Sequence, residues 1–331
     1  MSRPAVLVTK RLPSAVLARL EQSCDVDLHD GAAYLTREQL IERIRGKQGI
    51  IALMPDVIDR EVIAAGEDLA VIAVVAVGFN NIEVAAARER GVIVTNTPDV
   101  LTEATANLTW ALILDITRRI SEGDRLVRSG RWTGFAFDFM LGSDLAGKQL
   151  GIVGFGRIGQ AVAARARAFG MRVAYVSRLA PVASGAPAPK PRGVSAVDPA
   201  DAEPMALDRL LSTSDVVSLH VPLTPETRHL IDQAALARMK RSAYLINAAR
   251  GPVVDESALV WALSNGIISG AAVDVYEDEP RVHPGLLELG NVVLAPHLGS
   301  STKETRTAMA DLAVRNVVAV LNGQPPLTPV P

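Results

Sequence analysis

The sequence predicts an α/β protein with two parallel-sheet domains, and three observations predict it. The chain has 331 residues, more than one typical core accommodates. Along its N-terminal third, short apolar runs alternate with amphipathic helical stretches, the layer pattern of a parallel sheet. Near the middle, the apolar run 150–153 leads into Gly154, Gly156 and Gly159 spaced as G-x-G-x-x-G. A helical pattern and a second apolar run, 173–176, complete one βαβ unit.

Taken in order, residues 5–8 read as a strand, 14–22 as an amphipathic helix with Ser14 as its N-cap, and 26–28 as a short strand. Thr36 begins a second helix containing residues 38–44. A buried strand, 49–53, is followed by the turn residues Met54, Pro55 and Asp56. Helix 59–65, strand 71–75, helix 83–90 ending at Gly91, and strand 92–95 complete a small parallel domain. The loop after strand 71–75 reads Ala76, Val77, Gly78, Phe79, Asn80, Asn81. Gly78 there would allow a substrate oxygen to approach backbone N–H groups, and a structural turn explains the same residues equally well.

A long helix is expected from Thr102 to about residue 119. Its apolar positions Leu108, Trp110, Ala111, Leu112, Leu114 and Ile116 cover more than one stripe, which predicts burial on two sides, as a domain linker, an oligomer contact, or both. The βαβ unit follows, and its three glycines have separate tasks: a tight turn, room for a pyrophosphate, and close helix-to-strand packing. The helix that starts there offers unpaired N–H groups and a partial positive charge to a phosphate. This is the mark of a Rossmann-type cofactor domain.

Where a carboxylate usually holds the ribose 2′-OH of NAD, this chain has Ser177 and Arg178. A hydroxyl and a guanidinium can donate to a 2′-phosphate, so NADP(H) is expected to be preferred, with NAD(H) possible. A solvated arginine is the alternative. Residues 181–204, rich in Pro, Ala and Gly, are predicted as an extended surface loop, in which Lys190 and Arg192 could approach the phosphate or stand in solvent. Helices 207–211, 234–239 and 256–265 then alternate with strands 216–219, 243–246, 270–273 and 292–294. A last helix, ending at Leu321, is expected to return to the first domain.

Three of these late strands are followed by NAARGPVVDE, DVYEDEP and APHLGS, so Arg250, Glu279 and His297 fall on loops at one sheet edge, the edge that also carries the glycine loop. Each alone has an ordinary explanation: a surface arginine, a solvated glutamate, a structural histidine. Together they supply what hydride transfer to a 2-oxo acid requires. Arg250 can clamp a carboxylate and polarise the adjacent carbonyl, and His297 can exchange a proton with its oxygen. Glu279 can favour the imidazolium and fix its tautomer, with Asp274 adding to the same field. No metal is expected, because His29, His220, His229 and His283 show no ligand spacing.

Composition narrows the partners. Hydrophobic residues make up 49% and charged residues 21%, with a net charge of −2, which predicts no attraction to nucleic acid or to acidic membranes. One cysteine, Cys24, excludes an internal disulfide framework. The N-terminus lacks the apolar segment of a signal peptide, and the longest apolar run, 69–77, is too short to span a membrane, so a cytoplasmic protein is expected.

The ordered motifs AVGFNNIE, GVIVTNTPDVLTEATA, LGIVGFGRIG, VPLTPETRHLI, LINAARGPVVDE, AAVDVYEDEP and NVVLAPHLGS span nearly the whole chain. With them, it resembles the D-isomer-specific 2-hydroxyacid dehydrogenases, and within these the glyoxylate/hydroxypyruvate reductase branch. The resemblance implies reduction of glyoxylate or hydroxypyruvate by NADPH, with Arg250 as substrate arginine, Glu279 as the partner of the histidine and His297 as proton donor. It puts the carboxylate-binding loop on Val77 and Gly78. Cofactor contacts are implied at Phe155, Gly156, Arg157 and Ile158, at Ser177, Arg178 and Leu179, at Ala248, Ala249 and Arg250, and at Asp274, His297, Leu298 and Gly299.

The same resemblance implies a flavodoxin-like substrate domain, residues 1–98 with 297–331, and a cofactor domain, residues 99–296, with a cleft between them and hinges near Pro98 and Pro296. It also implies a homodimer in which residues 102–120 make much of the contact. Where some relatives place a tryptophan that reaches the partner's site, this chain has Phe135, with Trp132 three residues earlier. Other D-2-hydroxyacid or phosphite dehydrogenases of this fold, and a nucleotide-sensing module like the corepressors that resemble the family, are the competing expectations.

Overall fold

A computed structural model describes residues 3–177 and 202–331. The chain divides into two compact units, one made of Met1–Leu101 with Thr302–Pro331 and the other of Thr102–Ser301. The second crossing falls after Ser301 rather than after Pro296, so residues 297–301 belong to the second unit.

The first unit begins with β1 (Ala5–Val8), α1 (Ser14–Ser23), β2 (Asp25–Leu28), α2 (Arg37–Arg43) and β3 (Gly49–Ala52). It continues with α3 (Arg60–Ala65), β4 (Val71–Val74), α4 (Val84–Glu89) and β5 (Ile93–Thr95). Its strands are all parallel, in the order β2-β1-β3-β4-β5, which is the flavodoxin-like arrangement. Ser14 is not the N-cap of α1. Pro13 holds that place, and its carbonyl accepts the first helical N–H bonds, from Val16 and Leu17, while Ser14 is already helical. Thr36 does cap α2, in a reciprocal box with Gln39.

The second unit contains α5 (Thr102–Arg118), α6 (Ile120–Arg128), β6 (Gln149–Val153), α7 (Arg157–Ala166), β7 (Arg172–Val176), β8 (Ala202–Pro204), α8 (Leu207–Thr213) and β9 (Val216–Leu219). After these come α9 (Gln233–Arg238), β10 (Tyr244–Asn247), α10 (Glu256–Ser264), β11 (Gly270–Val273), α11 (Pro284–Leu287) and β12 (Val292–Leu294). Its seven strands are parallel, in the order β12-β11-β10-β9-β6-β7-β8, so the chain winds outward from β6 first to one side and then to the other. The last helix, α12 (Lys303–Leu321), belongs to the first unit, where Ala310, Ala313, Val314 and Val317 pack with α1 on one face of the sheet. Helices α2, α3 and α4 cover the other face.

In the second unit Leu150, Ile152, Val173, Ile246 and Ala272 face α5 and α7, and Val153, Ala174, Leu219, Leu245 and Val273 face α8, α9 and α10. These strands are apolar on both faces, as a sheet covered on both sides requires. Among the described residues, no helix is long and apolar enough to cross a membrane.

Two expectations need correction here. Helix α5 buries one broad face, including Trp110, Ile113 and Ile116, while Ala111 is exposed and Leu108 and Leu114 are only half-buried. It ends at Arg118, because Arg119 takes a left-handed φ of 59°, and the separate helix α6 follows. The Pro/Ala-rich stretch also ends in a strand, since residues 202–204 pair in parallel with β7. Arg178, Leu179, Lys190 and Arg192 lie outside the described residues.

Candidate active site

The carboxyl ends of the second unit's strands gather the expected site residues, beginning with the glycine loop after β6. Gly154 has φ +99°, and a Cβ there would stand 2.6 Å from the carbonyl carbon of His220, so only glycine fits the turn. A Cβ on Gly159 would lie 2.2 Å from the carbonyl oxygen of Gly154, which shows how closely α7 starts against the loop. Gly156 is different, because a Cβ there would meet nothing within 4 Å. It caps α7 without a side-chain bond, so the first turn of a ten-residue helix opens beside unfilled space. A phosphate-bearing dinucleotide fits such a loop.

Phe155 stacks on Tyr175 with ring centroids 4.0 Å apart, tying the loop to β7. The N–H of Gly154 donates to Val176 at 2.9 Å, which sets Ser177 immediately beyond the glycine turn. The ring of His220, at the end of β9, was not singled out in the sequence. Its Nε2 lies 2.9 Å from the hydroxyl of Ser218, while its buried Nδ1 meets no hydrogen-bond partner among the described residues. Burial pushes this imidazole down to about 3, so it is neutral at working pH. Strands β9 and β6 are neighbours at the point where the winding reverses, the usual place for a nucleotide.

The loop after β10 is held by Asn247, whose amide donates to the carbonyl of Arg250 at 3.0 Å and accepts from the N–H of Ala249 at 3.1 Å. This bracket shapes residues 248–250. Burial lowers the Arg250 guanidinium from its ordinary value, and the charge of Glu279 works against that shift.

After β11, Asp274 is 1% exposed and accepts from the N–H groups of Leu298 at 2.6 Å and Gly299 at 2.8 Å. Its own carbonyl accepts from the N–H of His297 at 2.9 Å. Asp274 therefore shapes the turn that carries His297. Burial raises its carboxyl, and the two N–H groups and the charge of His297 oppose the rise. The turn needs this grip, because His297 has φ +54°, a region that costs a residue with a Cβ about 1–2 kcal/mol.

The imidazole of His297 meets Glu279, with Nδ1 2.8 Å from Oε2. The other oxygen of Glu279 accepts from the N–H of Tyr276 at 3.1 Å, and the hydroxyl of Tyr276 reaches the carbonyl of Ala295 at 2.9 Å. Burial, the largest single influence, would raise the Glu279 carboxyl. The bond and charge of His297, the Tyr276 N–H and the Arg250 charge together hold it below the usual range.

Val77 and Gly78 stand in the first unit, on the loop after β4. The carbonyl of Val77 accepts from Asn96 at 2.7 Å, and Asn81 bridges the carbonyls of Leu53 and Asp56 at 3.1 Å and 2.8 Å. The sequence reading did not single out Asn247, Tyr276 or Asn96. Their signal, a polar side chain just past an apolar strand, is common to many loops.

The fold and this constellation define a dinucleotide-dependent oxidoreductase. The chain belongs to the D-isomer specific 2-hydroxyacid dehydrogenase family, whose NAD binding domain matches residues 110–299. It is 45% identical over 330 residues to the glyoxylate reductase of Thermococcus onnurineus, covering 98% of this chain and 95% of that one. The crystal structure of the TT0316 protein from Thermus thermophilus superposes with a TM-score of 0.88 at 46% identity, covering 99% of this chain and 100% of that one. An NADPH-dependent glyoxylate/hydroxypyruvate reductase from Sinorhizobium meliloti, solved with NADP and malonate, superposes at 0.83 with 34% identity, covering 99% of this chain and 97% of that one.

Proposed function

We propose that the protein reduces glyoxylate or hydroxypyruvate to the D-2-hydroxy acid with NADPH. The observation that carries this reading is the His297–Glu279 contact at 2.8 Å, on a strained turn fixed by Asp274, at the same strand ends as the glycine loop. The nicotinamide cofactor, when bound, supplies the hydride. It would be held by Gly154, Phe155, Gly156, Arg157, Ile158 and Gly159, by Ser177, Arg178 and Leu179, by Ala248, Ala249 and Arg250, and by Asp274, His297, Leu298 and Gly299.

Arg250 binds the substrate carboxylate through its fork of donors and draws electron density toward the carbonyl oxygen. The loop carrying Val77 and Gly78 is the further substrate-binding element of this reading. With Nδ1 engaged by Glu279, Nε2 of His297 is the ring nitrogen that gives its proton to the carbonyl oxygen as carbon is reduced. The imidazole becomes neutral in that step and is reprotonated from solvent. Glu279 keeps the ring oriented and steadies its charged form. Purified protein mixed with NADPH and glyoxylate is expected to lose absorbance near 340 nm, the ordinary signature of dihydronicotinamide oxidation. No loss with glyoxylate, hydroxypyruvate or any other small 2-oxo acid would overturn the reading, and the nucleotide-sensing module would take its place.

NADPH is favoured over NADH because Ser177 follows β7 without a carboxylate to repel the 2′-phosphate, and Arg178 comes next. The double variant Ser177→Asp, Arg178→Glu is expected to shift the ratio of kcat/KM toward NADH by about tenfold or more, equivalent to ~1.4 kcal/mol. An unchanged ratio would remove these residues from cofactor choice.

A homodimer is the assembly we favour. Helix α6 buries none of its residues although Ile120 and Val127 are each 57% exposed, and the segment after it exposes Phe135 at 89% and Phe137 at 92%. Apolar surface on that scale marks an interface. Light scattering is expected to give twice the chain mass, and Phe137→Ser to lower it; a wild-type monomer would refute the assembly.

A further inference from the structure

His229 lies between the two loops that carry the proposed catalytic groups, and it grips both. Its backbone N–H donates to the carbonyl of Pro252 at 2.8 Å, in the turn Gly251–Val253 directly after Arg250. Its ring Nε2 lies 2.9 Å from Oε2 of Glu277, two residues before Glu279. Glu277 then exchanges bonds with the first residue of α10. The Glu277 N–H donates to Glu256 Oε1 at 2.8 Å, and the Glu256 N–H donates to Glu277 Oε1 at 2.9 Å.

The two loops also touch backbone to backbone. A Cβ on Gly251 would stand 1.8 Å from the carbonyl oxygen of Tyr276, so any shift of one loop is felt by the other. His229 itself has φ +50°, a conformation that its surroundings must hold. Burial, above all, raises the Glu256 carboxyl; the Glu277 N–H opposes the rise and the Glu277 charge adds to it. Two acidic side chains meeting at that depth need a donor beside them, and the ring of His229 supplies it.

We propose that His229 is a positioning residue for the reduction: by holding Pro252 with its backbone and Glu277 with its ring, it fixes the spacing between the Arg250 fork and the Glu279–His297 pair. The inference rests on the roles proposed above for those three residues. A misplacement of about 1 Å between groups that act on one substrate can cost about a hundredfold in rate. Holding that spacing is a different task from merely stabilising the fold.

The test compares His229→Asn with His229→Gln. Asparagine tolerates the left-handed backbone and is too short to reach Glu277, whereas glutamine restores an N–H donor at nearly the reach of the imidazole. Melting temperature, NADPH Kd by fluorescence, and steady-state reduction of glyoxylate are measured for both and for the wild type. His229→Asn is expected to raise the KM for glyoxylate and lower kcat/KM by about tenfold to a hundredfold. NADPH Kd should stay within about twofold, and His229→Gln should recover most of the loss. If His229→Asn does not fold, Glu277→Gln takes the same measurements, with the same direction of change expected.

A folded His229→Asn with wild-type kcat/KM would overturn the positioning role while the functional reading stands. Parallel losses in NADPH affinity and turnover, or no recovery with glutamine, would overturn it as well, leaving an ordinary structural pair. A wild-type protein that reduces no 2-oxo acid would overturn both proposals.

Discussion

Replacing His297 with asparagine is expected to lower kcat for glyoxylate by about 10²–10⁴-fold, the usual range for loss of a positioned general acid, while NADPH Kd changes by no more than about twofold. Asparagine is a better probe than alanine at this position. His297 has φ +54°, where alanine adds backbone strain and asparagine adds little. The turn is held through backbone N–H groups by Asp274, so it should survive the change of side chain, and the loss should be confined to the proton. Glu279→Gln makes a graded comparison, keeping an acceptor near Nδ1 without the negative charge, and should fall between the wild type and the asparagine variant. Stopped-flow single turnovers check the assignment. A normal rate of NADPH oxidation in His297→Asn would take this residue out of the proton path.

Gly159→Ala should damage both stability and cofactor binding, and Gly156→Ala only the second. The new methyl at 159 would lie 2.2 Å from the Gly154 carbonyl oxygen and 3.1 Å from Ile152 Cγ2, so the start of α7 must move away from β6. Overpacking of this kind costs about 1–3 kcal/mol and should lower Tm as well as NADPH affinity. At Gly156 a methyl meets nothing within 4 Å and φ is −78°, an ordinary value, so the free protein should keep its Tm. Its NADPH Kd should nevertheless rise by about tenfold or more, because the space the methyl enters is where a pyrophosphate would approach backbone N–H groups. Calorimetry and NADPH titration on both variants check the contrast. Gly156→Ala with unaltered affinity would mean that the phosphate does not lie there.

The candidate site residues were legible because the same local device recurs. A buried apolar run ends, and a polar residue that no core position requires follows it. That rule finds Arg250 after β10, Asp274 and Glu279 after β11 and His297 after β12. Asp274, expected to add to the field at the ring, interacts with the charge of His297 and also holds the backbone of Leu298 and Gly299, a task the rule does not reveal. His220 and Asn247 obey the same rule, but their neighbours in sequence do not mark them out.

The misses in the fold have their own causes. The break between α5 and α6 falls on Arg119, where no glycine or proline announces it, and the left-handed residue is held by its two bonds to Glu122 at 2.8 Å and 2.7 Å. Strand β8 is three residues, Ala-Glu-Pro, at the edge of the sheet. Nothing in that triplet favours a strand until β7 lies beside it, and proline is tolerated because the edge leaves one side unpaired.

By itself, the sequence determined the alternation of strands and helices, the glycine turn and the residue types at each strand end, because these depend on φ/ψ preferences and hydrophobic periods that act over a few neighbours. Only the tertiary structure decided which of those residues meet: His297 with Glu279, Asp274 with Leu298 and Gly299, and His229 with Glu277, 48 positions away. In a parallel sheet, strand ends that meet are separated by whole crossovers, and their pairing follows from strand order and register, which no local stretch of sequence contains.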